Sequence, residues 1–523
     1  MTNSSSSPSF AGLAEGADPP PGCLHGVCVL LLCLGATAAL YLPYAGIPPF
    51  GDDYLFLLEN PHAGLLRYFV PYEGMGGEFR PFQMAWGALN QIWFGQSTYF
   101  LQAGQAFLHA LLAYALYSFL RRSRGSELAS VLAAGLLAIN PIGVLPVLGN
   151  DTMSQVGSTL CGFVSFACAW RYGQRLVSAA RAAQAGWHGM AEVSGCIVAL
   201  ALALLFKETG LSFGGLVPLT LAYWLWQARR RGQGSATVKL GALLAACVVT
   251  TGLYMVYRNA FAPVHLAWGT SGPYDFRIGL NILVNQVFLY VAALLPASTA
   301  DVFVAYHHRV VLVLAGIGLL AVAWGVVLCA GVVRARAGRV TLGLLIAASC
   351  ATVPVTLMNR VSELYAYNML PFLSMLSGLA VTGLLVRRSG AAARGIAVLL
   401  LLAVVVSDVV AVRRKAAEMM YNGEAAAALT PQVTELARQL PPQGKLLLLE
   451  QSHPGACYYS VFLTTDFHGL NSAEEWIRHL THRPDISVKL VAEQTLEPAD
   501  MVLIRDDSQW PPRVRPWPQT SRR

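Results

Sequence analysis

Residues 24–61 read "LHGVCVLLLCLGATAALYLPYAGIPPFGDDYLFLLENP". About twenty apolar residues are followed at once by two adjacent carboxylates, Asp52 and Asp53. A helix of roughly 20 apolar residues spans the hydrocarbon core of a bilayer. The paired acid therefore falls where that helix leaves the membrane, before any basic loop has appeared. Solvated loop charge is the ordinary explanation for such a pair, and a reactive site is the other.

The whole chain has the same character. Of its 523 residues 55% are hydrophobic and 12% charged, with a mean hydropathy of +0.51. Soluble globular chains carry about 25% charged residues, so most of this chain belongs in lipid. The net charge of +8 does not mark a nucleic-acid binder, because the basic residues fall in short runs between apolar stretches and no basic face with interleaved aromatics is present. The ten cysteines lie almost all in or beside apolar segments. No CxxC or Cys/His spacing suggests zinc, and they read as small buried hydrophobes. The first residues, "MTNSSSSPSFAGLAEGADPPPG", lack the basic n-region of a signal peptide. Residues 1–23 read as a disordered tail ahead of a retained helix.

The pattern predicts an all-α polytopic membrane protein of about 11 transmembrane helices. They lie near 24–44, 98–120, 128–148, 152–172, 190–206, 209–227, 238–257, 310–333, 340–357, 368–386 and 395–412. "RRSR" (121–124), 171–192, "RRR" (229–231), "RARAGR" (334–339) and "RRSGAAAR" (387–394) form Arg-rich loops with hardly an acid among them. They mark the cytoplasmic side. The opposite loops are 45–97, 149–151, 207–208, 258–309 and 358–367. The apolar but short 280–296 is expected to be an interfacial or re-entrant helix within the external loop 258–309. Residues 24–414 then form a membrane domain and 415–523 a small extracytoplasmic α/β domain. In the latter, "EAAAALTPQVTELARQL" is helical and "KLLLLEQ", "CYYSVFL", "SVKLV" and "DMVLIRDD" are strands. The tail "PPRVRPWPQTSRR" is expected to be loose. No GxxxxGK[ST] motif is present, against an ATP-driven pump.

The external loops and helix ends hold the informative charges: Asp52 and Asp53, Arg80 in "EFRPF", Asp151 after Asn150, the Lys207–Glu208 link, Arg258, Arg360 and Glu363. His109 lies in the second helix. Each has an ordinary reading. Asp151 caps a helix, Arg258 snorkels, Lys207 and Glu208 anchor a turn, and His109 is a hydrogen-bonded packing residue. Together they put acids and bases on one face of the membrane, where charge is costly and marks function. A carboxylate there accepts a proton from a hydroxyl nucleophile. Arg and Lys hold a phosphate and stabilise it as it leaves. A site at the interface takes one substrate from lipid and another from water. These properties suit glycosyl transfer from a lipid-phosphate sugar.

Five stretches in order resemble the GT-C class of integral-membrane glycosyltransferases, in particular the branch of tetratricopeptide-bearing protein O-mannosyltransferases. They are "GDDYLFLLENP", "FRPFQMAWGALNQIWFGQSTYFLQAGQAFLHALLAYALYSFLRR", "AINPIGVLPVLGNDTMSQ", "LLFKETGLSF" and "NRVSELYAYNMLPF". The resemblance covers roughly residues 24–412. It implies a polyprenyl-phosphate-linked sugar donor and an inverting single displacement onto a glycan, lipid or protein acceptor. It implies Asp52 or Asp53 as the catalytic base, with Asp52 preferred as the first of the pair, and it carries over Asp151, Lys207 and Glu208. Arg80, His109, Arg258, Arg360 and Glu363 complete the expected substrate-binding set. A divalent cation such as Mg or Mn bridging Asp52, Asp151 and the phosphate is compatible with hard oxygen ligands; the resemblance leaves metal dependence open and implies no other cofactor. The chain departs from that branch at Asn140–Pro141, where His-Pro is usual, and at Glu363–Leu364, where Glu-Arg is usual. It also has no tetratricopeptide repeats. The expected location is a bacterial inner membrane, with the site and the C-terminal domain extracytoplasmic. Other readings of the same features are a transporter, a flippase for lipid-linked sugars, and a noncatalytic envelope-assembly factor. Transporter sites lie near the midplane in repeated halves, whereas these charges lie at one face.

Overall fold

A computed structural model describes residues 23–50, 53, 64–70, 79–95, 97–123, 125–178, 187–261, 277–307, 309–359, 361–386, 390–450, 474–492, 498–506 and 511–516. Asp52, Arg360 and the expected strand "CYYSVFL" lie outside the described residues. The rest is a helical bundle with a small sheet near the C-terminus. Six described helices are long and apolar enough to cross a membrane, or seven if one bent pair counts as a single span.

The first of them, α1 (Cys23–Tyr41), buries Val29, Cys33, Thr37 and Leu40. This one stripe at helical spacing faces α3 (Thr98–Arg122) and α4 (Glu127–Ile139). Its other face leaves Leu31 and Leu32 bare, 60% and 69% exposed. Bare apolar faces on long helices match a hydrocarbon surround. The expected helix 128–148 breaks at Asn140–Pro141. Pro141 lacks an N–H and keeps the residue before it out of helical geometry. The chain bends by 47° there, before the short α5 (Val144–Leu148). Asn140 repairs the break, accepting from Ile142 N (3.0 Å) and donating to Ala293 O (3.1 Å).

Next come α6 (Met153–Val177), α7 (Trp187–Phe206), α8 (Leu211–Arg230) and α9 (Gly234–Phe261). α6 does not meet the apolarity of a span. It carries Ser154, Gln155, Ser158, Thr159 and Ser165, all fully buried against neighbouring helices. A helix wrapped in protein has no need of an apolar lipid face. α10 (Leu280–Leu294) has 15 residues, about 22 Å long, shorter than the hydrocarbon core of about 30 Å. α11 (Thr299–His307) and α12 (Val311–Ala335) follow. The expected helix 340–357 is divided into α13 (Gly338–Cys350) and α14 (Val353–Thr356). α15 (Leu370–Val386) is buried along nearly its whole length. A Cβ on Gly378 would sit 2.5 Å from Ala129 O of α4, and one on Gly331 of α12 would sit 2.1 Å from Ala380 O. Small residues let backbones approach in this way between membrane helices.

Two elements were not expected. α2 (Pro81–Phe94) stands inside the stretch read as an external loop. The last span does not end near 412. It continues as α16 (Ala391–Arg438), 48 residues and about 72 Å long, through the boundary expected at 414–415. Its far end packs on α17 (Glu474–Thr481) and on β4 (Arg513–Pro516). β4 pairs antiparallel at the edge of a four-stranded sheet, within the tail expected to be loose. The sheet order is β2 (Ser487–Ala492), β1 (Lys445–Glu450), β3 (Met501–Asp506), β4. β1 pairs parallel with both β2 and β3. Its run Leu446–Leu449 is buried throughout, as a strand covered on both faces requires.

α16 is fastened to the bundle just past its apolar stretch. Lys415 is fully buried and pairs with Glu363, itself 4% exposed. Lys415 Nζ also donates to Pro141 O (3.3 Å), and Glu363 accepts from the Thr299 hydroxyl. Arg414 pairs with Asp301 at 2.9 Å. Removing one member of a buried pair strands the other charge, at a cost of about 3–5 kcal/mol. Lys415→Met and Glu363→Leu should each lower the thermal midpoint of the detergent-solubilised protein strongly, and the double variant should recover most of the loss. Equal, additive losses would mean that the pair contributes no mutual interaction.

Candidate active site

Beyond the end of α1 a 3-10 turn (Leu42–Tyr44) leads into the irregular stretch from Ile47 to Phe50, held by Gln102 of α3. The Gln102 side-chain oxygen accepts from the backbone N–H groups of Gly46 (2.7 Å) and Ile47 (3.1 Å). Its amide nitrogen donates to Asn150 Oδ1 (2.9 Å). Asn150 turns its own amide to Asp53, donating to Oδ2 at 2.8 Å. Phe50 N donates to the same oxygen (3.1 Å), and Asp151 N donates to Oδ1 (3.1 Å). Asp53 is 5% exposed. Burial, and then the negative charge of Asp151, push its carboxyl up to about 8 against the three hydrogen bonds that oppose the rise. Two carboxylates of the expected site thus stand side by side, and among the described residues Oδ1 of Asp53 accepts one hydrogen bond.

A second cluster lies at the turn between α7 and α8. Lys207 is 4% exposed, and Glu208 accepts from Arg80 Nε at 3.1 Å. Burial alone would raise the Glu208 carboxyl. Arg80, then Lys207 and Arg258, outweigh it and hold the group below the ordinary range.

α2 joins the two clusters. Arg80 is its N-cap and Pro81 its first residue. Arg80 reaches Glu208, while Gln83 in the first turn donates to Asp151 O at 2.6 Å. The sequence reading missed this helix, although its signals were present. Proline at the first helical position and glycine past the end frame helices, and Gly95 caps it with φ +62. A buried polar network supports the Lys207–Glu208 turn. Asn368 Oδ1 accepts from Gln155 Nε2 and Thr159 Oγ1 (both 2.6 Å), Asn368 Nδ2 donates to Thr209 O (3.3 Å), and Thr209 Oγ1 donates to Gln155 Oε1 (3.3 Å). Nothing in the sequence singled out Gln155, Thr209 or Asn368, since their pairing is visible only across helices.

His109 and Glu363 are placed elsewhere. His109 is fully buried. Its Nε2 lies 3.2 Å from Ala138 O, which can only accept, so Nδ1 accepts from the Tyr367 hydroxyl at 2.5 Å. Both ring nitrogens are engaged with protein. Glu363 is held by Lys415 and Thr299. Among the described residues no group of three or more His, Cys, Asp or Glu is arranged to hold a metal. The acidic donors present are the Asp53–Asp151 pair.

No known family model matches the sequence, and no curated protein sequence matches it. Among solved structures it is similar to the archaeal oligosaccharyltransferase AglB from Archaeoglobus fulgidus in complex with an inhibitory peptide and a dolichol-phosphate. The TM-score is 0.49 and the identity 13%, over 88% of this chain and 64% of that one. It is also similar to ArnT from Cupriavidus metallidurans bound to undecaprenyl phosphate (TM-score 0.45, identity 15%, 92% and 93% covered). A third similar structure is the Archaeoglobus fulgidus oligosaccharyltransferase in complex with Zn and sulfate (TM-score 0.45, identity 14%, 87% and 61% covered). The chain thus spans about two thirds of the length of the archaeal enzyme or slightly less.

The raised Asp53 pKa sets a pH dependence of stability. An unfolded aspartate titrates near 4 and the folded one near 8. Between those values folding takes up a proton, so Asp53 costs stability progressively as pH rises through that window. Asp53→Asn should therefore raise the thermal midpoint relative to the parent more at pH 8.5 than at pH 5, as read by tryptophan fluorescence melts. A difference independent of pH would show that Asp53 is ionised throughout.

Proposed function

We propose that the chain is an inverting glycosyltransferase of the GT-C kind. It moves a sugar from a polyprenyl-phosphate donor to a hydroxyl of a glycan, lipid or protein acceptor at the outer face of a bacterial inner membrane. In this reading 24–414 is the membrane domain, with about eleven spanning segments. Residues 415–523 form the extracytoplasmic part, and α16 belongs to both. The observation that carries the proposal is the first turn of α2, which ties the Asp53–Asp151 pair to the Arg80, Lys207, Glu208 and Arg258 cluster. A proton acceptor and a phosphate-binding set then sit together where helices end.

Lys207 and Arg258 hold the donor phosphate, with Arg80 orienting Glu208 beside them. Asp52 or Asp53 takes the proton of the acceptor hydroxyl. A proton affinity raised toward neutrality suits Asp53 to general-base work. The acceptor oxygen bonds to the anomeric carbon with oxocarbenium character, while the bond from that carbon to the phosphate oxygen breaks. The phosphate leaves with the electron pair, so no general acid is needed. Asp53 and Asp151 also suit a divalent cation. Each presses on the other's charge, and such an ion would offset that repulsion and neutralise phosphate charge.

Transfer by the purified protein from polyprenyl-phosphate sugars, together with mass spectrometry of envelope glycans and lipids with and without the protein, tests the activity. Loss of the base should lower turnover about 100- to 10,000-fold in Asp52→Asn or Asp53→Asn with donor binding retained. Lys207→Ala should weaken donor use, and Lys207→Arg should weaken it less. Near-normal turnover in both single Asp variants and in the double variant would end the catalytic reading.

The Arg-rich loops supply the orientation. In a cysteine-free background, an impermeant thiol reagent applied to intact cells should label a cysteine at position 470 and leave one at position 230 untouched. The reverse pattern would invert the topology and remove the site from the outer face.

A further inference from the structure

Asp408 lies on α16 two turns before the Lys415 clamp, and the glycosyl-transfer reading gives it no role. It is 3% exposed, and among the described residues its Oδ1 has no hydrogen-bond partner. A carboxylate at this depth is expensive, and such residues mark ion or proton sites. Asp408 also borders a cavity. Asn140 at the α4 break, the turn Leu295–Pro296 after α10, and Ser374 and Ser377 of α15 line the same space. The volume open to the centre of a water-sized sphere is about 20 Å³. One water needs roughly 10–15 Å³ by that measure, so the space fits a single small occupant without a hydration shell.

The wall is richer in lone pairs than in donors. The Asn140 amide nitrogen is committed to Ala293 O, and its side-chain oxygen, which accepts from Ile142 N, has a second lone pair for a further partner. Pro296 has no N–H, and its carbonyl accepts from Ser407 (2.5 Å). The Ser374 and Ser377 hydroxyls both accept and donate. Carboxylate, hydroxyl and amide oxygens are the ligands that hard cations choose. A single carboxylate is neutralised by one positive charge, and a neutral pair is the least costly state in a low-dielectric surround. A divalent ion would leave net charge buried.

We propose that this cavity binds one dehydrated monovalent cation of sodium size, ligated by the Asp408 carboxylate with oxygens of Ser374, Ser377 and Asn140. The site fastens α16 to α15 and to the α4 break, below the Lys415–Glu363 pair. It is independent of any sugar transfer.

The test uses the full-length protein in detergent micelles, with sodium-22 equilibrium binding and thermal melts in NaCl, KCl and choline chloride at equal ionic strength. One sodium should bind per chain. The thermal midpoint should be about 3 °C higher in sodium than in choline, with potassium between. Asp408→Asn should abolish binding and make the three midpoints equal. Ser374→Ala and Ser377→Ala, which keep the charge, should weaken binding at least about tenfold while the protein stays folded. Absence of bound sodium in the parent protein would overturn the proposal, as would unaltered binding in Asp408→Asn. Equal parental midpoints in all three salts, with a gain of stability in Asp408→Asn, would instead assign the cavity to a water beside a protonated acid.

Discussion

One end of the bundle is organised around the three hydrogen bonds that Asp53 accepts. A carboxylate so nearly removed from solvent requires donors, and each donor here comes from a different constraint. Phe50 N is presented by the stretch that follows α1, which Gln102 pins in place. Asn150 and Asp151 N come from a link of a few residues between α5 and α6, which the bend at Asn140–Pro141 brings beneath the exit. Gln83 then holds the carbonyl of Asp151, and its helix carries Arg80 to Glu208. The broken fourth helix, the unexpected second one and the Asn150–Asp151 link meet around one buried charge.

Much of this was legible in the sequence, and the parts that were not share a cause. Long apolar runs placed α1, α3, α7, α9 and α12 to within a few residues, because lipid imposes composition on a whole helix. The very short links at Asn150–Asp151 and Lys207–Glu208 were legible too, since so few residues cannot carry charge far from a helix end. What failed depended on partners distant in sequence. Asn368 and Gln155 are ordinary polar residues until α6 and the segment before α15 are brought together. The counter-ion of Glu363, Lys415, lay beyond the expected domain boundary, and the Tyr367 partner of His109 lies 258 positions away, so neither pairing could be read from the sequence. α2 was obscured differently, since its mixed polar and apolar sequence follows a stretch that had already been read as loop.

The continuity of α16 gives the C-terminal sheet a mechanical relation to the bundle. A helix transmits displacement along its axis as a rigid rod, and this one is clamped where it leaves its apolar stretch by Lys415, Arg414 and Ser407. Those three contacts reach Glu363 before α15, Asp301 in the first turn of α11 and Pro296 just after α10. The sheet is therefore anchored to the segments that close one side of the bundle, not hung from a loose linker. Pro431, inside the far half of the helix, lies where neighbouring turns pack on α17 and β4 and can absorb the local loss of a backbone hydrogen bond.

Charge distinguishes the two clusters of the candidate site. Glu208 is surrounded by Arg80, Lys207 and Arg258, whereas Asp53 feels burial and the negative charge of Asp151. Glu208 is already held ionised by its cations, and Asp53 has the higher proton affinity of these two site acids. In a low-dielectric site a change of charge is absorbed where it costs least. On the proposed reading the two clusters therefore divide the work: the cations around Glu208 receive the phosphate, while Asp53, whose proton affinity is set by burial and by Asp151, handles the proton of the acceptor.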